Sequence, residues 1–170
     1  TEPCQVDFVY LCNGEQIMGT RSRIGVMHGD NCKSVYCHWD GYLENNGRIL
    51  AEHYKDPFKL RDLIDIGDLS SLRPEIGVKH AFSQFELPAE EVEAFKALTE
   101  EMCTFYGRDR GETGVDAKRF KNFEEYAREH QREEYEYILR RDGKWYVDMY
   151  GTDGEFLTLE DAFEFEKENA

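Results

Sequence analysis

Long apolar runs are missing from this chain. No stretch approaches the roughly 20 apolar residues that a membrane-spanning helix needs, and no basic-then-apolar leader pattern opens the sequence. These absences predict a soluble, cytosolic protein that does not engage a membrane. Close cysteine pairs are also missing. The five cysteines (Cys4, Cys12, Cys32, Cys37 and Cys103) are odd in number and widely spaced, which predicts free thiols rather than a disulfide framework. His28, Cys32, Cys37 and His38 fall in one short segment, but without a C-x2-C pair. Adjacent Cys37 and His38 on a strand would point to opposite faces, so no metal is expected. Nor is there a P-loop, a dinucleotide fingerprint or a nucleophile elbow around Ser70-Ser71, and no cofactor is expected.

Positive charge is in short supply. The chain carries 21 Lys and Arg against 36 Asp and Glu, a formal charge of −15. The imbalance sits in the second half: residues 1–85 hold 12 acids and 9 bases, residues 86–170 hold 24 and 12. Phosphate backbones are bound by Lys and Arg, so direct nucleic-acid binding is not expected. A basic protein surface is the complementary partner, although acidity also serves solubility alone.

What is present argues for a packed core. Eleven Phe and ten Tyr in 170 residues with 40% hydrophobic content exclude a disordered chain and suit one domain. Val6, Phe8 and Tyr10 alternate as in a short strand. The codons for Asn13 to Ile17 would resemble a purine-rich ribosome-binding site just before Met18, so residues 1–17 are expected to be an upstream extension of a domain running over 18–170.

Ile24–His28 and Ser34–Trp39 predict a hairpin around Gly29-Asp30-Asn31. A helix follows near Ile49–Tyr54, and Asp56-Pro57 cap and start another with Phe58, Leu60, Leu63 and Ile64 as its apolar face, ending at Gly67. Asp68–Gly77 reads as loop. Pro88 opens a helix whose buried stripe would be Val92, Phe95, Leu98 and Met102. Asn122 caps a helix to about Gln131. Tyr135–Arg140 and Lys144–Met149 around Asp142-Gly143 form the strongest hairpin signal. Thr158 starts a last helix that packs Ala162, Phe163 and Phe165. Hairpins and helices without regular alternation predict an α+β fold.

Three polar knots are candidate sites. Arg21 and Arg23 would share a face if extended and could grip a carboxylate or phosphate, or be held by internal acids. In Tyr36–Tyr42, a strand reaching Asp40 would set His38 beside Asp40, as a structural tie, a ligand contact or an oriented base, with Trp39 and Tyr42 next to them. Tyr106–Glu112 reads as a loop in which Asp109 either holds Arg108 and Arg110 closed or leaves them, with Glu112, to line an anion or nucleotide pocket.

M-G-T-R-S-R-I-G at Met18, Y-C-H-W-D-G-Y at Tyr36 and Y-G-R-D-R-G-E at Tyr106, with E-H-Y and G-D-L-S-S-L between them, resemble a family of small tailed-phage and prophage proteins without assigned activity. The resemblance spans about Met18 to Trp145. It implies an accessory role in the host cytoplasm during infection. Two functions are then expected. One is a non-enzymatic inhibitor or anti-defence factor that meets a basic host surface through Asp153, Glu155, Glu160, Asp161, Glu164, Glu166 and Glu168, in the manner of an acidic nucleic-acid mimic. The alternative is a nucleotide-binding or nucleotide-degrading pocket built from Arg21, His38, Asp40, Arg108 and Arg110.

Overall fold

The computed structural model describes residues 19–129 and 133–170, together with the backbone of two short strands, β1 (Val9–Tyr10) and β2 (Gln16–Ile17), which pair antiparallel. The expected extension over residues 1–17 otherwise lies outside the described residues.

The chain folds as an α+β domain around an eight-stranded mixed sheet. Its first hairpin joins β3 (Ser22–His28) to β4 (Asn31–Cys37). The turn is Gly29-Asp30, with Gly29 at φ 60°, a left-handed conformation that glycine adopts without a Cβ penalty. After a wide helical turn (Leu43–Gly47) come α1 (Arg48–His53) and α2 (Pro57–Ile66). Asp56 caps α2 by accepting from the Phe58 amide at 2.9 Å, and Pro57 occupies the first helical position, as the sequence requires.

Beyond α2 the structure departs from expectation. Leu69–Ser71 is a strand, β5, beside the end of β4, with Leu69 and Ser70 buried. Helix α3 (Val92–Thr99) has no fully buried residue, and Leu98 is 40% exposed; the stripe at Val92, Phe95 and Leu98 lies on the rim rather than in the core. Thr104–Phe105 forms β6, and Tyr106–Arg110 is a short helix, α4, rather than a loop. Asp109 explains the helix: its carboxylate accepts from the Phe105 amide at 2.8 Å, satisfying a donor at the helix start.

β7 (Lys118–Phe120) pairs with the first half of β4. Asn122 accepts from Glu125 N at 2.9 Å to cap α5 (Phe123–Glu129). The hairpin β8 (Tyr135–Leu139) to β9 (Trp145–Met149) is antiparallel, turning at Arg140–Gly143. Short β10 (Leu157–Thr158) leads to α6 (Leu159–Glu168), capped by Thr158 through Asp161 N.

The order across the sheet is β10-β9-β8-β3-β4-β5-β6. β8 runs parallel to β3, and β5 parallel to β4. Side chains alternate between two faces. Ile24, Val26, Val35, Tyr137, Leu139 and Val147 face the main core with Leu50, Leu60, Leu63, Leu159 and Ala162 from the helices. Met27, Cys32 and Ile138 face a smaller cluster with Phe120 and Tyr126. The second face is therefore apolar at one end. At the other end it is polar.

Candidate functional site

The polar end of that face is a row of side chains in one register. Glu136 of β8 sits opposite Asp148 on β9 and opposite Arg23 on β3, and Arg23 opposite Tyr36 on β4. Period-2 alternation turns all four the same way. Arg23, Glu136 and Asp148 are buried. Arg23 donates Nε to Ser34 Oγ at 3.1 Å, and its Nη1 lies 3.5 Å from Glu133 Oε1. Tyr126 donates its hydroxyl to the Tyr137 carbonyl at 2.9 Å and lies 3.4 Å from Glu136 Oε2. Thr152 donates to Asp148 at 3.0 Å, and the Tyr36 amide donates to Asp68 at 2.9 Å.

Among the described residues, acids outnumber the one buried cation here, Arg23. Burial first, and then the Glu133 carboxylate, push the Glu136 carboxyl up to about 9. Burial likewise raises Asp68 to about 6, against the lowering pull of the Tyr36 amide and Arg23. At neutral pH Glu136 holds its proton, because an ion in low dielectric is costly and Arg23 already faces Glu133. The chemistry available is proton storage beside a cleft of about 520 Å³ that Glu133, Glu136 and Asp148 line. Among the described residues, no group of three or more His, Cys, Asp or Glu side chains is arranged to hold a metal ion.

The polar knots read from the sequence have separate fates. Arg21 and Arg23 both reach the segment before β8: the Arg21 amide donates to Glu134 at 2.9 Å and its Nη2 lies 3.4 Å from the same carboxylate. His38 and Asp40 do not share a strand face. β4 ends at Cys37, and Asp40 turns into a left-handed conformation at φ 55° with its carbonyl accepting from Asn46 N and Asn45 Nδ2. The His38 imidazole instead meets Tyr36, with Nδ1 2.7 Å from its hydroxyl, and packs edge-on against Trp39. Tyr42, which precedes the Leu43–Gly47 turn, is 42% exposed.

Arg108 and Arg110 belong to α4, past the β6 end of the sheet. Arg108 donates to the carbonyls of Ile76, Gly77 and Cys103 and to Asp109 Oδ1 at 3.0 Å. Asp109 also accepts from the His80 amide at 3.1 Å. Arg110 pairs with Glu112 at 2.8 Å and stacks on Phe82 and Tyr106. These contacts hold a local segment closed, and none of them reaches Arg21, His38 or Asp40.

The acids of the last segment lie on the surface. Asp153, Glu155, Glu160, Asp161, Glu164 and Glu168 are exposed, and Glu166 is half-buried against Tyr135. Glu160, Glu164 and Glu168 follow one another at four-residue spacing, so they form one row along α6, while Leu159 and Ala162 point into the core.

Comparison with protein-family models, with curated proteins and with solved structures finds no match. The assignment of function therefore rests on the chain's own residues.

Sequence reasoning missed Ser34, Asp68, Tyr126, Glu133, Glu136 and Asp148. The available signal was a lone acid inside each of two apolar strands, Glu136 between Tyr135 and Tyr137, and Asp148 between Val147 and Met149. In a half-exposed hairpin such acids read as the solvent face.

Proposed function

We propose that this protein is a binding protein that engages a basic macromolecular surface through the acids between Asp153 and Glu168. The observation that carries this reading is the exposed row Glu160, Glu164 and Glu168 on a helix whose opposite side is anchored in the core. Exposed carboxylates at this density lower their mutual repulsion by meeting a cationic partner, which also accelerates encounter. Among the described residues, Lys167 answers the row at 3.4 Å from Glu164, and both ends of that pair are well exposed, where such pairs contribute little. A single row favours recognition of a basic protein patch over imitation of both phosphate strands of a duplex. The resemblance to tailed-phage proteins makes a host protein the natural partner, inhibited or redirected by the contact.

A nucleotide pocket spanning Arg21, His38, Asp40, Arg108 and Arg110 has less support, because Asp109, Glu112 and backbone carbonyls take up the two α4 arginines.

The test compares two charge-matched triple variants, E160K/E164K/E168K on α6 and E90K/E91K/E93K on the exposed segment before and into α3. Binding to poly-L-lysine and to host lysate is measured at low and high salt. The α6 variant should lose binding that the other retains, and wild-type binding should fall with salt, since exposed charges are screened over about 10 Å at 0.1 M. Equal losses in both variants, or salt-independent binding, would remove the proposal.

A further inference from the structure

A cleft of about 690 Å³ opens between the β3–β4 turn, the start of α5 and the β8–β9 turn. Lys121, Asn122, Phe123, Arg140, Arg141 and Tyr146 line it. Arg140 leaves the end of β8 on the same face as Ile138 and lies near two rings. Its Cζ is 4.0 Å from the centre of Phe123 and 5.5 Å from that of Tyr146. Both rings lie within cation–π distance of the guanidinium, so packing helps to hold it in the cleft.

Its N–H edge is another matter. Most arginines of this acidic chain are answered by a carboxylate or a carbonyl, as Arg21, Arg23, Arg48, Arg73, Arg108 and Arg110 are. Arg140 has no carboxylate within ion-pair distance among the described residues, although Asp142 is two positions away. Asp142 feels the Arg140 charge but is hydrogen-bonded to other groups: Tyr146 donates its hydroxyl to Asp142 Oδ2 at 2.6 Å, and Lys144 N donates to Oδ1 at 2.9 Å. The same Tyr146 therefore packs against the guanidinium and holds the nearby acid in place. Asp30, also on the cleft, pairs with Arg141 at 3.1 Å, and Glu124 remains as an exposed acid at the rim. The Lys121 ammonium has no ion pair among the described residues. The Asn122 side-chain oxygen caps α5, which leaves its amide N–H groups as donors.

We propose that this cleft binds the phosphate group of a small phosphate monoester, gripped by the Arg140 edge, Lys121 and the Asn122 amide. A planar guanidinium fork suits two phosphate oxygens at once, and the Lys121 ammonium answers the remaining charge. The volume lies within the range of small-molecule sites and leaves room for the organic part of an ester. A polyanion such as nucleic acid is disfavoured by the formal charge of −15 on the whole chain. The site is independent of the acidic row on α6.

Amide-resolved NMR titration of the full chain tests it, with inorganic phosphate, a nucleoside 5′-monophosphate, a hexose phosphate and the unphosphorylated nucleoside as probes. The monoesters should move signals of residues 121–123 and 140–146 and bind more tightly than inorganic phosphate, and the nucleoside should leave those signals in place. R140K keeps the charge but loses the fork, and K121Q touches no packing; each should weaken binding about tenfold or more, the usual worth of a hydrogen bond to a charged group. Unchanged affinity in both variants, or shifts confined to other residues, would overturn the site. Inorganic phosphate binding as tightly as the monoesters would overturn the ester.

Discussion

Arg23 and Glu136 are register partners on the parallel strands β3 and β8, both buried, yet the carboxylate that answers Arg23 is Glu133, 3.5 Å from its Nη1. One cation cannot neutralise two neighbouring acids where burial makes each charge costly. Glu136 keeps its proton as a result, with its ionisation pushed to about 9.

The first prediction follows from that proton. In the unfolded chain Glu136 ionises near 4.5, and in the folded chain at about 9. Between those values the folded state holds a proton that the unfolded state has released, so stability is greatest below the lower value and is lost as pH rises through the upper one. The slope is about 1.4 kcal/mol per pH unit for one such group. Asp68 adds a loss of the same sign from 3.8 to about 6. Urea unfolding across neutral and mildly alkaline pH should show falling stability, and E136Q should flatten it. A wild-type midpoint that rises over this interval would contradict the assignment.

A second prediction concerns the cation itself. Arg23→Met removes the cation that answers Glu133, 14% exposed, and removing one half of a buried pair costs about 3–5 kcal/mol. Adding E133Q should recover much of the loss, because the uncompensated charge disappears with it. Denaturant midpoints of the two single variants and the double variant give the coupling. Simple additivity would show that the pair does not act as a unit.

Fold and site were unequally legible. Hairpin turns at Gly29-Asp30 and Asp142-Gly143, the Asp56-Pro57 helix start and the Thr158 cap are local signals with local causes, and all are where the sequence puts them. β5 has three residues and gains its place from burial against β4, so no periodicity announces it. The segment Tyr106–Arg110 reads as loop because Gly107 and three charges break the pattern; it is helical because Asp109 closes back on Phe105. The polar row depends on which sheet face is covered. α5 and the segment after β9 cover the face that alternation would give to water, and that coverage is a long-range fact.

The third prediction separates two arginine–acid contacts in α4. The Asp109 side chain is fully buried and accepts from Phe105 N, His80 N and Arg108. D109A should cost about 3 kcal/mol or more, since it orphans buried donors and a guanidinium together. Glu112 is 41% exposed beside Arg110, so E112A should cost less than about 1 kcal/mol. Urea midpoints check both. Comparable losses would mean that Arg110 and Glu112 carry more of the segment than their exposure allows.

The last prediction concerns the turn that follows His38. A Cβ on Gly41 would lie 2.8 Å from the Ser22 Cβ and 2.9 Å from the Thr20 carbonyl, too close for either to stay in place. The backbone is pinned there from both sides: Gly41 N donates to Thr20 O at 2.8 Å, and Tyr137 donates its hydroxyl to Gly41 O at 2.6 Å. G41A must push the turn away from β3, at about 1–3 kcal/mol. Y137F removes the second pin and leaves a buried carbonyl without its donor, at about 1–3 kcal/mol. If the shifted turn in G41A has already broken the Tyr137 bond, the double variant should lose less than the sum of the two. Thermal or urea midpoints of the four proteins measure this. Strict additivity would place the relief of the clash in Ser22 and Thr20 alone, with Gly41 and Tyr137 still joined.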